Sequence, residues 1–210
     1  MAGLLDFLFP PRCMACGELL DIDFELRICD GCYLELQPCE DCVSGILSAY
    51  KYTDVSRMIM HRFKYAPNPV FGAHIGLLMA NRLAEYRDIG RIDGVVAVPL
   101  HRDKAKQRGF NQSELLAKAI AQNISVPFIS DAVVRTRATV QQSSLRHSER
   151  MRNTAGAFAP GKHAHKVDGK AILLVDDICT TGSTILSCSK ALCSADIITS
   201  FTFARVYFES

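Results

Sequence analysis

Two adjacent carboxylates, Asp176 and Asp177, end the aliphatic run "AILLV" (171–175) and precede a hydroxyl-rich stretch, Thr180, Thr181, Gly182, Ser183 and Thr184. An aliphatic run of this length reads as a buried strand, and "STILSCSKAL" (183–192) as the helix that follows it. In a parallel α/β sheet, ligands bind where strand ends lead into helices. Backbone amides of Thr181, Gly182, Ser183 and Thr184 would stand unpaired at the helix start, where the helix dipole also favours an anion. Gly182 lets the backbone approach closely, and the hydroxyls of Thr180, Thr181 and Thr184 add donors. Carboxylates beside a bare phosphate would repel it. They make sense when a sugar follows the phosphate, because a carboxylate accepts hydrogen bonds from vicinal hydroxyls. The stretch therefore describes a ribose 5-phosphate site. A Walker loop is excluded, since the Gly-Lys-Ser/Thr ending is missing.

Charge is divided along the chain. Residues 1–50 hold two basic and nine acidic residues, a net of −7, whereas residues 101–152 hold ten basic and four acidic, a net of +6. The basic segment suits an anionic partner. The competing reading is a pair of solvated faces that keep the protein soluble.

Six of nine cysteines fall before residue 43, as Cys13-x-x-Cys16, Cys29-x-x-Cys32 and Cys39-x-x-Cys42. With no secretion signal in view, a thiolate metal site is the better explanation than disulfides. Four thiolates suit tetrahedral Zn²⁺. Cys13, Cys16, Cys29 and Cys32 are the favoured set, with Cys39 and Cys42 as substitutes for one pair. Gly17 permits the tight turn of a zinc knuckle. Cys179, Cys188 and Cys193 sit singly among apolar residues and read as inert buried thiols.

These groups need elements to position them. Residues 1–45 are too short and acidic to build a core, so metal supplies their stability and they form a zinc-ribbon-like module. Residues 46–210 form an α/β domain with a doubly wound, mostly parallel sheet. A helix starts at Asp54, with Val55, Met58, Ile59 and Phe63 on its buried face. A second starts with Asn68 as N-cap and Pro69 in its first turn. "GVVAVP" (94–99) is a strand, and Asn111 with Glu114 opens a third helix as a capping-box-like pair. Short strands follow near Val126–Ile129 and Ala132–Arg135. Residues 136–170 are polar and glycine-punctuated, as in a functional loop. The last elements are a strand over Ala171–Val175, a helix over Ser183–Ser194 and a strand over Ile197–Val206. The apolar N-terminus is too short to span a bilayer, and no later stretch approaches the ~18 apolar residues a span needs. A cytoplasmic protein is expected.

"ILLVDDICTTGST" (172–184) closely resembles the phosphoribosyl diphosphate (PRPP) signature of type I phosphoribosyltransferases. The N-terminal cysteine pairs, "VPLHRDKAKQRGFNQSELLA" (98–117), "RTRATVQQSSL" (135–145) and this signature, in that order, resemble the competence-protein ComF family. The resemblance covers nearly the whole chain and implies a type I phosphoribosyltransferase-like fold. It also implies that Asp176 and Asp177 hold the ribose hydroxyls, directly or through Mg²⁺, while residues 180–184 hold the 5-phosphate. Leu100, His101, Arg102, Lys104 and Arg108 would form the pyrophosphate loop, where arginine offers a planar fork. The 136–170 segment would include a lid, with Arg137, Gln141 and Arg150 entering the site on closure. Lys64 and Tyr65, in "RFKY", resemble a further family motif and rank behind these. Cys179 stands where an aliphatic residue is usual.

The acceptor is not legible. Enzymes that salvage 6-oxopurines usually carry an aspartate base where this chain has Thr180, which weakens that substrate class. Three functions fit the resemblance: an active transferase, a non-catalytic PRPP- or nucleotide-binding regulator or DNA-uptake factor, and a zinc-ribbon nucleic-acid binder. Natural transformation, to which the family is linked, makes single-stranded DNA or DNA-uptake proteins candidate partners. The acidic ribbon argues against DNA binding there, because four thiolates on Zn²⁺ add a further −2 to its charge. Any such strand belongs on the basic 101–152 face. Type I transferases are often dimers, so a homodimer is expected.

Overall fold

The aliphatic runs assemble into a four-stranded parallel sheet in a computed structural model that describes residues 10–21, 26–65, 69–101, 109–137 and 156–208. The sheet strands are β1 (Ile46–Lys51), β2 (Gly94–Ala97), β5 (Ala171–Cys179) and β6 (Ile197–Arg205), in the order β1-β6-β5-β2. A separate antiparallel pair joins β3 (Val133–Arg135) to β4 (Phe158–Pro160). The helices are α1 (Asp30–Leu34), α2 (Asp54–Tyr65), α3 (Pro69–Glu85), α4 (Gln112–Asn123) and α5 (Ser183–Ser189).

Alternation along the strands divides the core into two layers. Leu173, Val175, Phe201 and Phe203 face α2, α3 and α4, packing with Ile59, Phe63, Met79 and Ile120. Val96, Ile172 and Leu174 face the other way, toward Ile185 of α5 and the β3–β4 pair through Val133 and Phe158. Helices on both faces of a parallel sheet make the doubly wound arrangement expected from the sequence.

Several elements differ from expectation for definable reasons. The strand expected to end at Val175 continues through both aspartates to Cys179, because its pairing with β6 persists to Cys179↔Arg205. Strand β1 was not foreseen; its central Ser48 looks wrong for a buried strand, but its hydroxyl meets Thr202 Oγ1 at 2.7 Å. Val126–Ile129 makes a single parallel bridge, Val95↔Phe128, rather than a strand. Strand β4 and a 3₁₀ turn (Ala164–Val167) occupy part of the segment read as a loop. Helix α5 spans Ser183–Ser189 and tightens into 3₁₀ over Lys190–Leu192, with Ser189 Oγ bonded to Leu186 O. A serine that bonds back to its own turn competes with helix propagation.

On α2, Val55, Ile59 and Phe63 are buried as expected, but Met58 is exposed and Met60 takes the inner position. Asn68, the expected cap of α3, lies outside the described residues, while Pro69 opens that helix. Asn111 precedes α4 without capping it; its amide donates instead to Val98 O at 3.2 Å, tying the helix start to the end of β2. The cysteine-rich segment has no core of its own. Met14, Leu20, Ile28 and Leu36 are buried in the same cluster as Ile59 and Phe63. No helix among the described residues is long and apolar enough to cross a membrane.

Candidate active site and metal cluster

Because β5 extends to Cys179, Asp176 and Asp177 sit on consecutive strand positions and diverge. Asp176 lines a small pocket together with Thr180, Gly182, Thr184 and Thr202. Its Oδ1 accepts from Ser113 Oγ at 2.8 Å and from the Asp177 amide at 2.9 Å. Asp177 turns to α2, where its Oδ2 meets Lys64 Nζ at 2.8 Å, and its Oδ1 accepts from the Ile178 amide at 2.7 Å. Only the first carboxylate therefore faces the pocket, and the second is anchored to the helix layer.

The environments separate the two acids. Burial, reinforced by the charge of Asp177, pushes the Asp176 carboxyl up to about 7, against the lowering effects of Ser113, the Asp177 amide and Lys64. Between its ordinary value of 3.8 and about 7 the folded protein holds a proton there that the unfolded chain has lost. Stability of the ligand-free protein should therefore fall as pH rises through that window and level off above it. Asp176→Asn should remove this slope and stabilise the ligand-free protein at pH 8. Urea denaturation at several pH values checks both effects, and an unchanged slope in the variant would assign it to other groups.

The loop after β5 is shaped by one residue. Gly182 has φ +74°, in the left-handed region, and a Cβ there would lie 2.6 Å from Ile46 Cδ1. Thr181 Oγ1 bonds Ser183 Oγ at 3.0 Å, which orders the hydroxyl cluster beside it. Left-handed strain and overpacking together should make Gly182→Ala cost about 2–4 kcal/mol of stability, read by the same denaturation. A loss under about 0.5 kcal/mol would mean that the loop adjusts freely.

Leu100 and His101 are half-buried just beyond β2, beside the end of β5 through the bond from Val98 N to Val175 O at 2.9 Å. Arg102, Lys104, Arg108, Gln141 and Arg150 lie outside the described residues. Arg137 is exposed just past β3. Arg135, which the sequence reading passed over, is half-buried, with its guanidinium 5.3 Å from the Phe158 ring centre and close enough to feel the charge of Asp176. Ser113 and Lys64 are the other partners that the sequence left unranked or ranked behind. Tyr65 is 66% exposed and stacks on His61.

The sulfurs of Cys13, Cys16, Cys29 and Cys32 all lie within 4.8 Å of one another. A tetrahedral ion with Zn–S bonds of about 2.3 Å holds its sulfurs about 3.8 Å apart. Cys16 Sγ and Cys29 Sγ are 3.8 Å apart. Amides of Cys29 and Glu18 point at Cys13 Sγ and Cys16 Sγ at 3.4 and 3.5 Å, the contacts that thiolates accept. Burial works to raise the Cys13 thiol, yet amide bonds from Cys29, Cys16 and Ala15 bring it down to about 7. Burial and the neighbouring sulfurs push Cys32 up, so a cation is needed to make four thiolates compatible. Cys39 and Cys42 stand apart from this group: Cys39 Sγ is buried against Tyr207 Oη at 3.0 Å and Cys42 is exposed. Of the three lone thiols, Cys179 and Cys188 are buried as expected, whereas Cys193 is exposed.

Residues 111–202, from the start of α4 into β6, match the phosphoribosyl transferase domain family. The DNA utilization protein YhgH of Escherichia coli K12 is 30% identical over 193 residues, covering 86% of this chain and 83% of its own. Competence protein F of Haemophilus influenzae is 24% identical over 185 residues, covering 87% of this chain and 78% of its own. The chain belongs to the ComF family of competence proteins. Competence protein ComFC of Bacillus subtilis, 26% identical over 162 residues, covers 75% of this chain and 63% of its own length. In this ComF protein the matched phosphoribosyl transferase region carries Ser113, both aspartates and the hydroxyl loop, whereas Lys64 and the thiol cluster lie ahead of it. Among solved structures, adenine phosphoribosyltransferase of Trypanosoma brucei aligns at 14% identity with a TM-score of 0.41, over 69% of this chain and 68% of that one. That likeness is too loose to add weight to the sequence matches.

Proposed function

We propose that this ComF protein binds PRPP with Mg²⁺ and acts as a phosphoribosyltransferase, releasing pyrophosphate. Residues 46–210 form the transferase-like unit, and residues 1–45 form a module that holds structural Zn²⁺ on Cys13, Cys16, Cys29 and Cys32. The observation that carries this reading is the shared pocket, in which the Asp176 carboxylate lines one space with Thr180, Gly182 and Thr184 of the loop.

The 5-phosphate would rest on the loop amides and the hydroxyls of Thr180, Thr181 and Thr184. Helix α5 is only seven residues long, so these local donors carry more of the binding than a helix dipole does. The ribose hydroxyls would donate to Asp176, whose Oδ2 receives no hydrogen bond among the described residues. Asp177, locked by Lys64, fixes the strand end that presents Asp176. Mg²⁺, held on the side of the Asp176 carboxylate, would share the charge of the departing pyrophosphate. Leu100, His101, Arg102, Lys104 and Arg108 are proposed around that leaving group, and Arg137 and Arg150 on the closing side. Arg135 adds fixed positive charge behind Asp176. Cleavage at C1 leaves an oxocarbenium-like sugar, so the protein works by positioning and charge stabilisation. Thr180 stands where enzymes that salvage 6-oxopurines carry a carboxylate base, which disfavours that acceptor class.

Calorimetric titration of the zinc-loaded protein tests this reading. PRPP with Mg²⁺ should bind more tightly than ribose 5-phosphate, and ribose 5-phosphate more tightly than orthophosphate. Absence of PRPP binding at millimolar concentration by folded protein would overturn the proposal.

The names of the relatives favour a second, compatible reading, in which single-stranded DNA tracks the basic 101–152 segment. Arg102→Glu with Arg108→Glu should then weaken an oligonucleotide's fluorescence-anisotropy signal by roughly tenfold or more in affinity at low salt. Unchanged affinity would remove DNA from this face.

A further inference from the structure

Helix α2 carries two cations near its end that contact different parts of the molecule. Arg62 reaches back to the cysteine knuckle, donating to Cys13 O at 3.4 Å and Cys16 O at 3.2 Å. This contact is built into the knuckle. Gly17 has φ +85°, a left-handed conformation that suits glycine, and the Arg62 guanidinium lies against it, 2.7 Å from where a Cβ would stand. Two residues on, Lys64 holds Asp177 Oδ2 at 2.8 Å, with each side chain only about one-fifth exposed (22% and 20%). Residues two apart on a helix lie about 200° apart around its axis, so the two contacts grip the helix end from different sides. Phe63, between them, is fully buried and packs on Phe110, ring centres 5.9 Å apart. Two residues after Asn111, which follows Phe110, Ser113 donates to Asp176 at 2.8 Å. The supports of both aspartates thus converge on the last turn of α2.

We propose that Arg62 and Lys64 link the cysteine knuckle to the carboxylate pair, so that the folded knuckle sets the place of Lys64 and thereby the orientation of Asp177. Both are positioning residues. Lys64 acts on Asp177, and Arg62 acts through Lys64. The effect on ligand rests on the sugar-phosphate reading above, whereas the effect on Asp177 does not.

The reporter is the Ile178 amide, which donates to Asp177 Oδ1 at 2.7 Å and loses that acceptor when the carboxylate turns. Hydrogen exchange is followed in Lys64→Met, Lys64→Arg and Arg62→Met, each checked to retain one metal per chain. Ile178 exchange should rise about tenfold in Lys64→Met and in Arg62→Met, while Leu173 in the same strand stays as in wild type. Lys64→Arg, which keeps the charge, should restore most of the protection. Ribose 5-phosphate affinity, measured in parallel, should fall about tenfold in the two Met variants and recover with arginine. Wild-type exchange at Ile178 in Arg62→Met would overturn the link, and wild-type exchange in Lys64→Met would overturn the role of Lys64. Equal acceleration at Leu173 would reduce the effect to general loosening and also overturn it. Should wild type bind no ribose 5-phosphate while exchange follows the expected pattern, the ligand reading fails and the link stands.

Discussion

Stripping the metal from the four-thiolate cluster is expected to unfold more than the cysteine-rich segment. Structural Zn²⁺ supplies on the order of 10–16 kcal/mol to small thiolate modules, comparable to the whole stability of a typical domain, about 5–15 kcal/mol. Here the module is not a detachable appendage. Met14, Ile28 and Leu36 share a core with Phe63 and Ile59, and Arg62 bonds the knuckle carbonyls. Loss of the metal should therefore loosen α2 and, with it, the layer over one sheet face. A strong chelator, or Cys16→Ser, should lower the midpoint of thermal unfolding by more than about 10 °C, followed by circular dichroism. Cys42→Ser is the control, since Cys42 is exposed and outside the cluster, and should stay within about 0.5 kcal/mol of wild type. A chelated protein that melts like the metal-loaded one would show that packing alone holds the knuckle.

The second large effect is expected at the carboxylate pair. Asp176→Asn keeps an acceptor for Ser113 but removes the charge that faces the pocket. PRPP affinity should fall by about tenfold to a hundredfold, the usual range for a charged hydrogen bond to a ligand. Asp177→Asn has a different signature. It leaves Lys64 partly buried beside a neutral amide, so a stability loss of about 1–3 kcal/mol should accompany a smaller affinity loss. The double variant should lose binding beyond a hundredfold or so, because both the hydroxyl acceptor and the support of its strand are gone. Calorimetry paired with denaturation separates the two effects. Equal affinity in Asp176→Asn and wild type would remove that residue from ligand binding.

How much of this was legible depends on where the chemistry sits along the chain. The hydroxyl loop and both aspartates are contiguous, and the four clustered cysteines have diagnostic spacing, so a reading of local pattern singled them out. The parallel sheet followed from aliphatic runs alternating with helical periodicity. What escaped were contacts made in three dimensions. Ser113 reaches Asp176 from α4, and Arg135 on β3 feels its charge, with nothing local in the sequence to connect them. Lys64 had only a motif resemblance to recommend it and ranked behind the loop residues, because its partner Asp177 lies on β5, far along the chain. The opposed directions of Asp176 and Asp177 depend on β5 continuing past Val175, which two acidic residues argued against. Asn111 fits the cap pattern, yet tertiary geometry turns its side chain to Val98 O. The acidic cysteine-rich segment looked too poor for a core because its few apolar residues are completed by α2.

The central claim, a 5-phosphate seated on the 180–184 loop beside Asp176, is tested most directly by amide mapping. Ribose 5-phosphate would be titrated into the zinc-loaded, ¹⁵N-labelled protein, whose 23.2 kDa mass suits solution NMR. Amide resonances of Thr181, Gly182, Ser183 and Thr184 should shift together and saturably, and Asp176→Asn should weaken the titration without moving its location. Saturable shifts confined to other residues, or none in this loop at millimolar ligand, would contradict the account.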